Sequence, residues 1–455
     1  MRHKTGSIWL FMVKAVLFFV MVGIFFVGQI IFYEQTLFYF WGNYIVVLLY
    51  AAYLYFLCRI YQAFRFGSLS IVEIILSWAF CLIVTNALEY LMLSLLEDRL
   101  LPVEGFMAVL AAQLIIVIPL TILTDKLYYY LNPVHKAMII FKNEEKAREC
   151  RSIIEKHRKK FEITHSVSQG ETDRMLHDLI DKSDSVFFLD IDESRCEKLL
   201  EYCFIQNKRT YILPTFTGIL LNTAEISWIS DTPMFLPKTP EHDMGSRIVK
   251  RCMDIVISLL AIAALSWLML ITWAAIILYD RRNAVYKQVR MTRGGRLFTL
   301  YKFRSMIPDA EDDGVPRLTS KGDKRITPIG RVIRTTRLDE LPQLFNVLSG
   351  SMSLVGPRPE RPEIAKQYEE IYPNFSLRTK VKAGVTGFAQ IHGRYNTAPE
   401  EKLFLDLMYI EKFSIWQDVK LMLQTLTVLF KPSSSEGIPE DSTTALKERE
   451  SESET

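Results

Sequence analysis

The stretch TRLDELPQLFNVLSGSMSLVGPRP, from Thr336 to Pro359, gathers the residues of this 455-residue chain best suited to chemistry. Two adjacent carboxylates, Asp339 and Glu340, can divide one task. One attacks a phosphorus atom while its neighbour holds a divalent cation against the phosphate oxygens. A structural use is open to them as well, because acids in a first helical turn offset the macrodipole and Thr336-x-x-Asp339 resembles a capping box. Leu338, Leu341, Leu344, Phe345 and Leu348 recur at helical spacing. The spacing predicts a helix opened by Asp339 and Glu340, with Pro342 in its first turn and an apolar face turned inward. Beyond the turn Ser349-Gly350-Ser351, Gly356-Pro357-Arg358-Pro359 reads as a rigid loop that fixes one guanidinium.

Cations stand elsewhere in the chain. Residues 298–304 (FTLYKFR) read as a strand on which Lys302 and Arg304 share a face with period two. Two cations side by side suit a diphosphate, although an ordinary solvated strand face has the same pattern. Residues 382–394 (KAGVTGFAQIHGR) form a glycine-rich loop whose polar groups, including Gln390 and Arg394, can approach a ligand closely.

The elements that must position these groups are set by where the apolar residues fall. Half of the residues are hydrophobic and they are bunched, which marks a membrane protein. A net charge of +3 gives no case for a nucleic-acid partner. The cysteines Cys58, Cys81, Cys150, Cys196, Cys203 and Cys252 form no C-x-x-C pair, which fits a reducing cytosol and no disulfide framework. Apolar runs at 8–32, 38–57, 69–96 and 106–123 are each long enough, or nearly so, to cross a hydrocarbon core of about 30 Å as a helix. Arg2, His3 and Lys4 precede the first run and no small-residue cleavage site follows it, so it reads as a retained anchor. The second loop is basic (Arg59, Arg65) and the third mainly acidic, which places both ends of a four-helix transmembrane bundle, residues 1–130, in the cytoplasm. Glu73 and Glu89 lie near the ends of the third run and read as solvated interfacial residues.

Residues 131–240 turn soluble. AMIIF, FEITHSV, SVFFLD and TYILPTF alternate with charged helical stretches, the pattern of βα units on a parallel sheet. No G-x-G-x-x-G follows the first strand, so this Rossmann-like domain is expected to act without a dinucleotide, as a structural or regulatory module. A proline-punctuated connector, 232–240, closes it. The next apolar run, 254–279, is basic on both flanks: Arg247, Lys250 and Arg251 before it, Arg281, Arg282, Lys287 and Arg290 after it. Both ends therefore want the cytoplasmic side, which a broken, re-entrant helix would allow and a plain fifth span would not. Residues 399–430 read as helical, with Phe404, Tyr409, Phe413, Trp416 and Leu421 suited to a membrane interface or to core packing. The Ser/Glu/Thr-rich tail, 431–455, is expected to be disordered.

Taken together, YKFRSM (301–306), Asp309-Ala310-Glu311, LDELPQLF (338–345), SLVGPRP (353–359), residues 384–394 and the segment 406–418 resemble the bacterial sugar transferases. These are monotopic polyprenyl-phosphate sugar-1-phosphate transferases, including undecaprenyl-phosphate glucose and galactose phosphotransferases. The four runs and the α/β domain resemble the family's long members. The resemblance implies a mainly helical α/β catalytic domain at 245–430 on a re-entrant helix at 254–279. It further implies Asp339 as nucleophile and Glu340 as its metal-assisting partner, with Asp339 a second candidate ligand of Mg²⁺. Lys302, Arg304, Asp309, Gln343, Arg358, Gln390 and Arg394 would contact the substrate. The implied reactants are a UDP-hexose and polyprenyl phosphate at the cytoplasmic face of the bacterial inner membrane, with a homodimer as a further expectation. The implied reaction opens exopolysaccharide, capsule or O-antigen synthesis. Two departures stand out: Ser266-Trp267 replaces the family's Ser-Pro at the helix break, and 280–285 lacks its Gly-Pro. A catalytically silent scaffold of polysaccharide assembly would keep the fold and lose the carboxylate pair, and a nucleotide-sugar dehydratase or epimerase would need the missing glycine fingerprint.

Overall fold

The structure, a computed structural model, describes residues 2–33, 41–155, 158–237, 244–307, 323, 325–393 and 398–428. It divides into two compact units, Met1–Leu213 and Pro214–Thr455. Asp309, Arg394 and the tail 431–455 lie outside the described residues.

The first unit opens with four apolar helices, α1 (Arg2–Tyr33), α2 (Gly42–Ile60), α3 (Ile71–Leu96) and α4 (Val103–Leu131). Each is long and apolar enough to cross a membrane, and the chain is a membrane protein. Polar side chains join the helices inside: Gln113 Nε2 donates to Met21 O at 2.8 Å and Tyr50 OH at 2.9 Å, and Asn86 Nδ2 donates to Gln113 Oε1 at 2.7 Å. Glu73 completes a capping box with Ser70 at the start of α3. Glu89 is not the solvated residue its sequence position suggests. It is fully buried, because it shares an inward stripe of α3 with Leu82, Thr85, Asn86 and Leu93.

An α/β domain follows. Strands β1 (His135–Phe141), β2 (Phe161–Ser168), β3 (Ser185–Leu189) and β4 (Arg209–Ile212) alternate with α5 (Glu144–Glu155), α6 (Asp173–Asp181) and α7 (Glu193–Ile205). The sheet is parallel, in the order β2-β1-β3-β4. Side-chain alternation along β1 explains its two-sided burial. Met138 and Ile140 pack with Leu176, Ile180 and Leu199, whereas Ala137 and Ile139 pack with Ala147 and Ile154.

The second unit begins with α8 (Phe216–Leu221) and an antiparallel hairpin, β5 (Glu225–Ile229) and β6 (Thr232–Leu236). Residues 232–236, expected in a connector, thus form a strand. Then come α9 (Met244–Asp280), the antiparallel pair β7 (Val285–Met291) and β8 (Leu297–Phe303), α10 (Pro328–Thr335) and α11 (Gln343–Ser349). Strand β9 (Ser353–Val355) pairs in parallel with β10 (Gly384–Thr386) across α12 (Pro362–Ile371). Helices α13 (Phe388–His392), α14 (Pro399–Glu411) and α15 (Ile415–Val428) complete it. The core gathers Val347, Met352, Val355, Tyr368, Phe375 and Tyr409.

Helix α9 differs from expectation. α9 is one uninterrupted helix of 37 residues, with Ser266 Oγ bonded back to Ala263 O at 3.0 Å. Tryptophan at 267 keeps the backbone N–H that a proline would remove, so no hydrogen bond is lost and the helix does not break. Asp254, Ile257, Ser258, Ala261 and Ile262 face the unit's main core, and Met269, Ile276 and Ile277 face a second cluster built on Ala284, Phe303 and Ile333. The opposite face leaves Val256, Leu260, Trp267, Leu270 and Ile271 exposed. One stripe of the helix therefore rests on the second unit.

Candidate active site

The carboxylate pair sits in a 3₁₀ turn, Leu338–Glu340, ahead of α11, and Pro342 is the N-cap of that helix. The capping box is not formed: Thr336 Oγ1 donates back to Val332 O at 2.8 Å, and no side chain caps the turn. Leu338 and Leu341 pack on the cluster of Phe303 and Ile333, which fixes the turn between them. Along α11 the buried face is Gln343, Leu344, Asn346 and Val347, while Phe345 turns outward.

Lys302 reaches this turn from β8. Asn346 aligns that strand: its Oδ1 accepts from Tyr301 N at 2.9 Å and its Nδ2 donates to Thr299 O at 2.8 Å. Arg358 arrives from the other side, on the loop after β9. Gly356 and Gly384 permit the close backbone crossing beneath it, where Gly356 N donates to Thr386 O and Gly384 N to Pro357 O, each at 2.9 Å. A Cβ on Gly384 would stand 2.1 Å from Gly356 N, so only glycine fits. Arg378 Nη2 donates to Arg358 O at 2.9 Å and Arg290 Nη1 to Pro359 O at 3.1 Å. Arg378 is held in turn by Glu360 and Asp406, and Lys402 also pairs with Glu360.

These supports converge on Glu340. Its Oε1 accepts from Lys302 Nζ at 3.2 Å and Arg358 Nη2 at 2.8 Å, with Arg337 Nη1 at 3.7 Å. Burial pushes the Glu340 carboxyl up, but Arg358, Lys302 and Arg337 outweigh it and hold the group well below the usual carboxylate range. Asp339 is different. It is 8 % exposed and its Oδ1 has no hydrogen-bond partner among the described residues. Burial raises its pKa, the Glu340 charge adds to the rise, and Lys302, Arg334 and Arg337 only partly offset it. Among the described residues, four cations act on the two carboxylates, a setting that suits an anionic ligand.

Of the other residues named from sequence, Arg304 has a different partner: its Nη2 donates to Asp280 Oδ1 at 2.6 Å and Oδ2 at 2.8 Å, tying β8 to the end of α9. Gln343 is buried at the start of α11. Gln390 lies on α13 with both amide atoms buried and unpartnered among the described residues. A cavity of about 20 Å³ lies behind Arg358, lined by Phe375, Arg378 and Val381, and has room for about one water but not for a nucleotide. The sequence reading missed Asn346, Arg378 and Arg337. Asn346 and Arg378 carry no local signal, but Arg337 stood two residues from the pair.

At the start of α9, Arg251 Nη1 and Nη2 donate to Val347 O at 2.6 Å and Leu348 O at 2.8 Å, capping α11. Lys250 pairs with buried Asp418 and donates to Val355 O at 3.1 Å, beside the Arg358 loop. Helix α9 is therefore built into the site's frame.

Residues 245–432 match the bacterial sugar transferase family. Among similar proteins, UDP-N-acetylgalactosamine-undecaprenyl-phosphate N-acetylgalactosaminephosphotransferase of Aeromonas hydrophila is 40% identical over 199 residues, 42% of this chain and 47% of the relative. UDP-glucose:undecaprenyl-phosphate glucose-1-phosphate transferase of Klebsiella pneumoniae is 38% identical over 223 residues, 48% of this chain and 47% of the relative. Undecaprenyl-phosphate galactose phosphotransferase of Salmonella typhimurium is 34% identical over 236 residues, 48% of this chain and 49% of the relative. The chain spans about half the length of the curated relatives it matches. On this match and these relatives, the segment 245–432 belongs to the bacterial sugar transferase family.

Proposed function

We propose that this chain transfers a hexose-1-phosphate from a UDP-sugar to polyprenyl phosphate, through a covalent intermediate on Asp339. The observation that carries the reading is the contrast within the pair. Glu340 Oε1 is held by Lys302 and Arg358, whereas Asp339 offers a buried oxygen with no partner among the described residues. Asp339 Oδ1 attacks the sugar-bearing phosphorus, the diphosphate P–O bond breaks and UMP leaves. The phosphate oxygen of the lipid then attacks the same phosphorus, the aspartyl P–O bond breaks and the carboxylate is restored. Lys302 and Arg358 hold Glu340 in place and lie where charge develops on the phosphoryl oxygens.

A divalent cation fits here, because Asp339 Oδ1 is an orphaned hard oxygen donor beside a second carboxylate. No group of three His, Cys, Asp or Glu ligands gathers among the described residues, so phosphate oxygens and water would complete the shell around Asp339 and Glu340. Bound Mg²⁺ would supply neutralisation of phosphate charge.

Location follows from the same frame. The four N-terminal helices read as a transmembrane bundle and residues 135–212 as a Rossmann-like domain without a cofactor motif. For α9, basic flanks and a packed stripe along its length favour seating in the inner leaflet, with the site on the cytoplasmic face, where soluble donor and lipid acceptor meet. The three relatives act on different sugars at 34–40% identity, so identity does not choose the hexose. The test uses the full chain in nanodiscs with Mg²⁺, a panel of UDP-sugars and polyprenyl phosphate. Native protein should release UMP and Asp339→Asn should not. Equal release by both would remove Asp339 from the mechanism, and release by neither would favour a silent scaffold.

A further inference from the structure

Arg337 occupies a position that its side chain should avoid. It follows the last turn of α10 and has φ +57° and ψ +17°, in the left-handed region. Its N–H donates to Arg334 O at 3.3 Å and its carbonyl accepts from Glu340 N at 3.2 Å, so the conformation is fixed from both sides. Just past a helix end glycine is the usual occupant of this region, and a residue with a Cβ costs about 1–2 kcal/mol there. The strain has a local consequence. It reverses the chain so that the Arg337 guanidinium comes back over the carboxylate pair, with Nη1 3.7 Å from Glu340 Oε1. Lys302 and Arg358 hold that same oxygen at 3.2 and 2.8 Å. The Arg337 contact is thus the longest of the three on this oxygen. The Arg337 side chain is 24% exposed and Glu340 13%, so Arg337, like Arg358, is reached from solvent more readily than the carboxylate it contacts.

Resting on the transferase reading above, we propose that Arg337 is a further catalytic residue, whose guanidinium binds the transferring phosphate as Asp339 attacks it. A planar fork of N–H donors matches phosphate oxygens and remains charged throughout. No oxidant or added proton is required, since the arginine forms only hydrogen bonds while the P–O bonds exchange.

The left-handed backbone supplies a clean test. Arg337→Gly removes the guanidinium and relaxes the strained φ, so the fold should be kept or stabilised. In nanodiscs, the midpoint of thermal unfolding of Arg337→Gly should equal or exceed that of native protein. Its kcat/KM for the UDP-sugar should fall about 10–100-fold, the loss expected for one charge-assisted bond in the transition state. Added guanidinium ion should restore part of that rate, and Arg337→Lys should retain more of it than the glycine variant; a purely structural role would respond to neither. Native-like kcat/KM in Arg337→Gly, with UMP release by native protein intact, would overturn the role of Arg337 alone. Absence of UMP release from native protein would overturn the transferase reading and this role with it.

Discussion

Asn346→Ala tests whether the catalytic frame is built as described. Asn346 is 2% exposed, and its side-chain amide satisfies two backbone groups of β8, Tyr301 N at 2.9 Å and Thr299 O at 2.8 Å. These groups lie on the strand edge away from β7, so truncation orphans both. An unsatisfied buried group costs about 1–3 kcal/mol. Thr299 is exposed and water can replace its lost donor, so the lower part of the range applies and the sum is about 2–3 kcal/mol. For a unit of this size each kcal/mol shifts the midpoint by about 2–4 °C. The expected drop is therefore about 4–12 °C in thermal unfolding of the full chain in nanodiscs. Function should suffer beyond stability. Tyr301 precedes Lys302, and a displacement of about 1 Å at a positioned group can cost about 100-fold in rate. UMP release, measured well below the variant's unfolding range, should fall tenfold or more. A variant that loses stability but keeps native kcat would refute the claim that Asn346 sets the position of Lys302.

Two further outcomes follow from the same geometry. In the proposed mechanism attack requires ionised Asp339, and burial with the neighbouring Glu340 charge raises its pKa above 3.8. The acid limb of kcat/KM should therefore lie above pH 3.8, and a limb at or below that value would show that burial does not govern the ionisation of Asp339 in the metal-loaded enzyme. Glu340 carries the opposite sign: its folded-state pKa lies below 4.5, so its stabilisation is present above that pH and lost as pH falls through the folded value. Glu340→Gln should make thermal stability less sensitive to acid below about pH 4.5, as followed by unfolding midpoints across a pH series. Gly384→Ala would drive a Cβ to 2.1 Å from Gly356 N, and should cost roughly 1–3 kcal/mol by denaturant unfolding together with loss of UMP release as Arg358 shifts.

Parts of the fold with a local signal were legible in the amino-acid order alone. Runs of apolar residues marked the membrane helices, because the length of a bilayer-crossing helix is written in consecutive positions. Alternation of short apolar strands with charged helices marked the α/β domain, and β1 and β3 lie where that pattern runs. Asp339 and Glu340 were visible because they are adjacent, and Arg358 because prolines flank it. Tertiary structure decided the rest. Lys302 and Arg304 share a strand pattern, yet one reaches Glu340 and the other Asp280, since β8 ends between two different neighbours. Glu89 lies inside the bundle although its position near a helix end suggested solvent. α9 stays whole and rests one stripe on its own unit, where basic flanks alone suggested a break. Period and spacing report which residues share a face of one element. Which element that face meets depends on contacts far apart in sequence, and only the folded chain supplies them.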